Sequence, residues 1–118
     1  MTGVFIRQDA NETGVYVARG YGRGQTVVRL EPISWRPGRD RETVQHPAGG
    51  HIYHPVLAKV SHSCAPNCRV SFPERALIAI RDIEPGEQVT FDFRTTETRL
   101  SHPFQCRCRT PDCAGRLA

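Results

Sequence analysis

Glycine and proline interrupt this sequence so often that long helices are excluded. Ten glycines and nine prolines are spread over 118 residues, and both residue types tend to end helices and mark turns. Only 26 residues are Phe, Leu, Val or Ile, which lies just above the share at which a chain tends to be disordered. The sequence therefore predicts one small domain with a thin core, stabilised by a metal, a disulfide or a partner.

The apolar residues do not form any run long enough to cross a membrane. The first ten residues also lack an apolar stretch, so we expect no signal peptide. These features exclude the membrane, secreted, coiled-coil and fibrous classes. We expect an intracellular protein, cytoplasmic or nuclear.

Short β-prone runs separated by turns predict a mostly β domain. A hairpin is expected across Pro73-Glu74-Arg75, and a short helical stretch within 53–60 is expected to start around Pro55. Residues 36–50 are polar and are predicted to form a loop. The predicted strands are residues 4–6, 14–18, 26–30, 69–72, 76–80 and 88–93.

The positive charge of the chain is carried almost entirely by arginine. The net charge is +4 with a pI near 9.0, and Lys59 is the only lysine. A GC-rich genome would produce this bias, and so would an enzyme that acts on lysine and avoids exposing its own. The charge predicts a weak attraction to nucleic acids or acidic surfaces, although the sequence contains no nucleic-acid-binding motif.

Three of the five cysteines lie in a tail that cannot build its own core: Cys106, Cys108 and Cys113. Without a secretory signal, a disulfide framework is not expected. A closed zinc site needs four ligands, and the remaining thiols are Cys64 and Cys68. The spacing therefore predicts structural zinc with one of these two as the fourth ligand, and the alternative is a set of inert free thiols.

Four segments resemble SET-domain protein-lysine methyltransferases. Residues 61–68 (Ser-His-Ser-Cys-Ala-Pro-Asn-Cys) resemble the family's Asn-His-Ser-Cys-x-Pro-Asn signature. Residues 12–18, followed by Gly24, resemble its N-terminal Gly-x-Gly-Val-Phe-Ala segment. Residues 79–93 resemble its Ala-x-Arg-x-Ile-x-x-Gly-Glu-Glu-Leu-Thr-Phe-Asp-Tyr segment, and residues 106–115 resemble its post-SET zinc tail. The segments follow the family's order and cover nearly the whole chain.

The resemblance implies a mostly β, SET-domain (β-clip-like) fold of several short curled sheets, with a pseudoknot-like C-terminal threading and a zinc-stapled tail. It implies a SET-like catalytic domain at 1–94, a connector at 95–105 and a post-SET zinc-binding tail at 106–118. It also implies one structural zinc ion and leaves Cys68 free. The implied zinc ligands are Cys64, Cys106, Cys108 and Cys113.

The activity implied by the resemblance is transfer of a methyl group from S-adenosyl-L-methionine to the deprotonated amine of a lysine in a protein substrate. The glycine at position 14 would let the main chain approach the cofactor closely. The implied cofactor-binding residues are Thr13, Gly14, Val15, Ser61, His62 and Leu117.

The chain lacks a tyrosine at two positions where the family usually has one. The position of the family's catalytic tyrosine is Phe93, and that of a second common tyrosine is Leu30. Alternation predicts that Phe91 and Phe93 share one face of a strand, which the resemblance places against the lysine channel. The nearest phenols in the sequence are Tyr16 and Tyr53, each of which also fits as a half-buried sheet aromatic.

Two other functions are compatible with the sequence. The missing tyrosines and the short insert at 33–53, which would leave an open cleft, favour an S-adenosylmethionine-binding enzyme that acts on a small molecule. A non-catalytic, zinc-stapled binding module would need only the fold and the metal.

Overall fold

Among the residues that the structure describes, the short strands pair into five small sheets. The computed structural model describes residues 3–8, 12–98, 100, 102–106, 108, 110–111 and 113–117. The strands are β1 (Val4–Gln8), β2 (Thr13–Val17), β3 (Thr26–Arg29), β4 (Ser34–Arg36), β5 (Val44–Gln45), β6 (His51–Tyr53), β7 (Ser61–His62), β8 (Cys68–Ser71), β9 (Ala76–Ala79), β10 (Thr90–Phe91), β11 (Phe104–Gln105) and β12 (Arg116–Leu117). Two 3-10 helices accompany them, η1 (Leu57–Lys59) and η2 (Phe93–Thr95).

One parallel pair positions the signature segment. Strands β1 and β2 form an antiparallel pair, as do β11 and β12, and two three-stranded sheets have the orders β3-β9-β8 and β4-β6-β5. By contrast, β10 runs parallel to β7, with Thr90 opposite Ser61 and Phe91 opposite His62. This pairing brings the segment that ends at Phe93 alongside the signature histidine.

The structure confirms the predicted strands of the first third and the predicted hairpin. The hairpin is β8 paired with β9, with Val70 opposite Leu77. The helical stretch predicted after Pro55 is present as η1, a single 3-10 turn. Strand β9, the central strand of its sheet, is buried along its whole length, so both of its faces are covered.

The prediction of a loop at 36–50 is wrong in part. Strand β6 lies between β4 and β5, with Ile52 opposite both Trp35 and Val44. The two-residue strand β5 carries no alternation of its own, so its pairing depends on contacts with β6. Residues 38–43 do form turns and irregular structure.

The predicted strand at 88–93 is shorter than expected. It ends at Phe91, because the carboxylate of Asp92 accepts a hydrogen bond from the main-chain N–H of Arg94 and caps η2. The strand does not end at Phe91 because the chain becomes exposed there, since Phe93, in η2, is still half-buried. The cysteine-rich tail, where no regular structure was expected, forms the β11–β12 pair.

The buried side chains form two clusters. The main core contains Val15, Val17, Leu77 and Val89, each fully buried; the two valines alternate on the inner face of β2. A second, smaller cluster contains Cys64, Cys106 and Leu117, with Leu100, Phe104, Cys108 and Cys113 packed against it. Within the described part of the chain, no helix has the length and apolar character needed to cross a membrane.

Candidate functional site

A cavity of about 390 Å³ lies where four segments meet. They are residues 40–44 before and within β5, the η1 region, β10 with η2, and Leu100 with residues 102–104 leading into β11. Two of the predicted catalytic residues, Phe91 and Phe93, line this cavity. The cavity is therefore the candidate site.

Aromatic rings form one wall of the cavity. The ring centroid of Phe91 lies 5.0 Å from that of Phe93, and Phe93 lies 6.2 Å from Phe104 in an edge-to-face arrangement. Leu57 and Val60 add aliphatic surface, and the described lining contains no tyrosine. Phe91 and Phe93 share this wall as predicted. However, a bend at Asp92, and not a continuous strand, brings the two rings to the same side.

Carboxylates lie around the same cavity. Asp40, Glu42 and Glu97 line it together with Arg41. Glu42 lies 3.2 Å from the Nζ atom of Lys59, and Glu97 accepts a 2.8 Å hydrogen bond from the main-chain N–H of Gln45. The site thus combines an apolar wall with acceptor groups, an arrangement that suits an amine on an aliphatic stem.

His62 lies behind the aromatic wall. Its side chain is 2% exposed, and its ring packs edge-to-face on Phe93 and Phe104 with centroid distances of 5.2 and 5.8 Å. Its Nδ1 atom accepts a 3.0 Å hydrogen bond from the main-chain N–H of Phe93. Burial lowers the pKa of His62 below its usual value, although the nearby Asp92 opposes this shift, so the imidazole is neutral at neutral pH.

Asp92 is held ionised beside this histidine. Partial burial alone would raise the pKa of its carboxyl, but hydrogen bonds from Arg94 lower it below the usual range. The shortest of these bonds, from Nη2 of Arg94 to Oδ2 of Asp92, is 2.6 Å.

The structure brings together the thiols of Cys64, Cys106, Cys108 and Cys113. Their four Sγ atoms lie within 4.8 Å of one another, and those of Cys64 and Cys106 are 3.8 Å apart. Zn–S bonds of about 2.3 Å in a tetrahedron place sulfur atoms about 3.8 Å apart. This donor set of four thiols fits one zinc ion.

The thiols differ in their electrostatic surroundings. Burial raises the pKa of Cys106, whereas a hydrogen bond from the hydroxyl of Thr110 lowers that of Cys108. Four thiolates this close would repel one another, and a divalent cation offsets that charge. Cys68 lies apart in β8, where it is 1% exposed and burial raises its pKa to about 12.

Four of the six residues predicted to bind the cofactor fall into two pairs. Gly14 and Ser61 both lie beside Gln88: a Cβ atom at position 14 would come 2.7 Å from its Nε2 atom, and Ser61 Oγ accepts a 3.0 Å bond from the same atom. His62 and Leu117 adjoin the cysteine cluster. The two remaining residues are in β2, Thr13 at its start and Val15 fully buried.

The two candidate tyrosines lie on sheets outside the cavity lining. Tyr16 stacks on Phe5 with centroids 5.8 Å apart, and the guanidinium of Arg7 lies 4.6 Å from its ring centre. Arg36 lies 4.3 Å above the ring of Tyr53 in the same manner. These are the contacts of sheet aromatics. Leu30, at the other tyrosine position, is buried in the main core.

Sequence reasoning missed three residues of the site. Asn67 is 1% exposed; it donates to the main-chain oxygen of Gln88 at 2.8 Å and accepts from the main-chain N–H of Thr90 at 2.9 Å. The sequence signal for Asn67 was its place in the 61–68 signature. Phe104 was signalled only by being a lone aromatic in a polar connector, and Gln88 only by its place in the 79–93 segment.

Comparisons with known proteins agree with this geometry. The family model described as "SET domain" matches residues 9–94. Over 62 residues the chain is 39% identical to histone-lysine N-methyltransferase ash1 of Drosophila melanogaster, covering 48% of this chain and 3% of that protein. Over 73 residues it is 36% identical to histone-lysine N-methyltransferase SMYD3 of Homo sapiens, covering 50% of this chain and 17% of that protein. The chain thus spans a small part of these relatives.

Solved structures resemble the whole described fold. The chain aligns over 98% of its length with 29% of KRYPTONITE in a complex with mCHG DNA and SAH, with a TM-score of 0.75 and 16% identity. A second KRYPTONITE structure, with mCHH DNA, an H3(1-15) peptide and SAH, gives a TM-score of 0.71 at 18% identity over the same shares. These likenesses confirm the mostly β fold class of small sheets.

Proposed function

The chain belongs to the SET-domain family, and from that premise we propose that it transfers a methyl group from S-adenosyl-L-methionine to a lysine amine of a protein substrate. One observation carries the proposal beyond family membership. The Phe91–Phe93 wall lines a cavity that also holds carboxylate acceptors. An aliphatic stem with a terminal amine matches both features of this cavity.

The proposed cofactor carries its methyl group on a positively charged sulfur. Because this sulfur becomes neutral when the methyl group is transferred, it needs no acid catalyst to leave. We propose Thr13, Gly14, Val15, Ser61, His62 and Leu117 as the residues around it. Gly14 and Ser61 are supported by their shared neighbour Gln88. Both ring nitrogens of His62 are already engaged, with Phe93 and Cys64.

The residues of the cavity would act on the amine rather than on the methyl group. Carboxylates such as Glu42 would attract the lysine as an ammonium ion, and the apolar wall would favour its neutral, nucleophilic form. Because the described wall offers no phenol, the shape of the Phe91–Phe93 pair would align the nitrogen. Phe91 and Phe93 are therefore the proposed catalytic residues at the cavity. Tyr16, whose hydroxyl lies beside Gly14, and Tyr53 stay predictions for the same role outside the cavity lining.

We also propose one structural zinc ion, bound by Cys64, Cys106, Cys108 and Cys113. The 3.8 Å separation of two sulfur atoms and the compact donor set support it. Residues 1–94 would then be the catalytic domain and 106–118 the zinc-binding tail, joined by 95–105.

Replacing Phe93 with tyrosine should change catalysis without unfolding the protein. Phe93 is half-buried at the cavity, so a hydroxyl can point into the open space. One hydrogen bond to the amine is worth about 0.5–1.5 kcal/mol, so we expect up to roughly a tenfold change in turnover, or fewer methyl groups added per lysine. Mass spectrometry of a methylated protein substrate measures both quantities.

The matched control for this substitution is Phe72→Tyr, which adds the same hydroxyl to a half-buried ring outside the described lining of this cavity. It should leave turnover and methylation state unchanged. Equal effects of the two variants, or no effect of Phe93→Tyr on either quantity, would contradict a role for Phe93 beside the amine.

A further inference from the structure

His62 connects the cysteine cluster to the wall of the cavity. Its Nε2 atom lies 3.2 Å from the Sγ atom of Cys64, while its Nδ1 atom lies 3.0 Å from the main-chain nitrogen of Phe93. The two contacts are made by the two different nitrogen atoms of one imidazole ring. A single buried side chain therefore touches both a proposed metal ligand and a proposed catalytic residue.

The hydrogen bond from Phe93 determines which ring nitrogen carries the proton. Because the main-chain N–H of Phe93 donates to Nδ1, that atom must be the acceptor of the neutral ring. The proton then lies on Nε2, which donates to Cys64. The same sulfur also accepts a 3.3 Å bond from the main-chain N–H of Ala114, so Cys64 is oriented from two sides.

Packing prevents the ring from turning independently of its partners. Phe93 and Phe104 both pack edge-to-face on it, and both line the cavity. A rotation of the imidazole would break the hydrogen bond with Phe93 or the contact with Cys64. A displacement at the sulfur is thus passed to the main chain at Phe93.

We propose that His62 is a positioning residue that couples the metal centre to the Phe93 wall of the cavity. The proposal rests on the zinc site of the proposed function. Hydrogen bonds to metal ligands commonly fix their orientation, and losing one weakens metal binding by roughly 10–100-fold. Here the same residue would also set the position of the N–H at the start of η2.

Two variants separate the two hydrogen bonds of His62. In His62→Gln the amide nitrogen can replace Nε2 as donor to Cys64, but no acceptor remains for Phe93. In His62→Asn the amide oxygen can replace Nδ1 as acceptor for Phe93, but no donor reaches Cys64. By competition with a chelator, we expect zinc affinity to fall roughly 10–100-fold in His62→Asn and to stay within about threefold of the parent in His62→Gln.

The coupling itself is measured by NMR, through the signals of the main-chain amides of the phenylalanine residues. The chain has five phenylalanines, so labelling them with nitrogen-15 gives one NMR signal each. Exchanging bound zinc for the larger cadmium ion keeps the protein folded and displaces the sulfur atoms. In the parent protein the signals of Phe93 and Phe104 should both move, while those of Phe5 and Phe72, neither of which belongs to the described cluster around the thiols, should stay.

In both His62 variants the Phe104 signal should still respond to cadmium, which shows that the metal has exchanged, but the Phe93 response should be lost. A Phe93 signal that does not move in the parent protein overturns the coupling even if a variant fails to fold. Equal zinc affinities of the two variants overturn it as well. A parent protein that binds no zinc contradicts the proposed metal site instead, so the two failures are distinguishable.

Discussion

Replacing Cys113 with serine should release the zinc and melt the C-terminal β11–β12 pair. The tail has few apolar contacts of its own beyond Leu117 and Phe104, so the metal supplies much of its stability. Zinc binding by thiolate sites contributes about 10–16 kcal/mol, and an equal share for one of four ligands is about 3 kcal/mol. We expect metal affinity to fall more than roughly a hundredfold, with a clear decrease in Tm.

Metal analysis and thermal unfolding measure this result, and Cys68→Ala is the matched control. Cys68 is fully buried in β8, outside the thiol cluster. Its variant should keep one zinc per chain and lose only the packing of a small side chain. If Cys68→Ala releases zinc while Cys64→Ser retains it, the proposed ligand set is wrong.

Replacing Asn67 with alanine should destabilise the core of the protein. Its side chain satisfies the main-chain oxygen of Gln88 and the main-chain N–H of Thr90, and alanine would leave both without a partner. An unsatisfied, partly buried polar group costs about 1–3 kcal/mol, so for two such groups we expect a loss of about 2–6 kcal/mol. This is a large part of the roughly 5–15 kcal/mol that stabilises an ordinary domain.

Urea unfolding measures the change, with Asn67→Asp as the intermediate variant. The carboxylate keeps an acceptor for the N–H of Thr90 but loses the donor to Gln88, so it should fall between the parent protein and Asn67→Ala. A loss below about 0.5 kcal/mol for Asn67→Ala, the range of ordinary surface substitutions, would mean that these two bonds do not hold β10 in place.

Local patterns in the sequence were sufficient for the hairpin and for part of the metal site. The β8–β9 hairpin was predictable because a proline-containing turn separates two apolar runs. The spacing of Cys106, Cys108 and Cys113 indicated a metal, but it could not distinguish Cys64 from Cys68. That choice depends on which face of the chain meets the tail, and the residue pattern does not encode it.

The remaining features depend on contacts between distant segments. Strand β5 has two residues, and propensity carries almost no information over so short a length. The alternation at Phe91 and Phe93 correctly placed both rings on one side, but the capping carboxylate of Asp92 ends the strand between them. The role of Phe104 arises only when the tail folds back against His62.

The most direct test of the proposed function is methyl transfer from isotopically labelled S-adenosylmethionine to lysine-containing proteins. The Lys59→Arg variant is a useful enzyme for this assay because Lys59 is the only lysine in the chain, so self-methylation cannot contribute. The proposed function predicts label on substrate lysines and none on substrates whose lysines are replaced by arginine. Cofactor binding by calorimetry without transfer to any protein would contradict protein-lysine methylation and favour a small-molecule substrate, and absence of cofactor binding would contradict methyl transfer altogether.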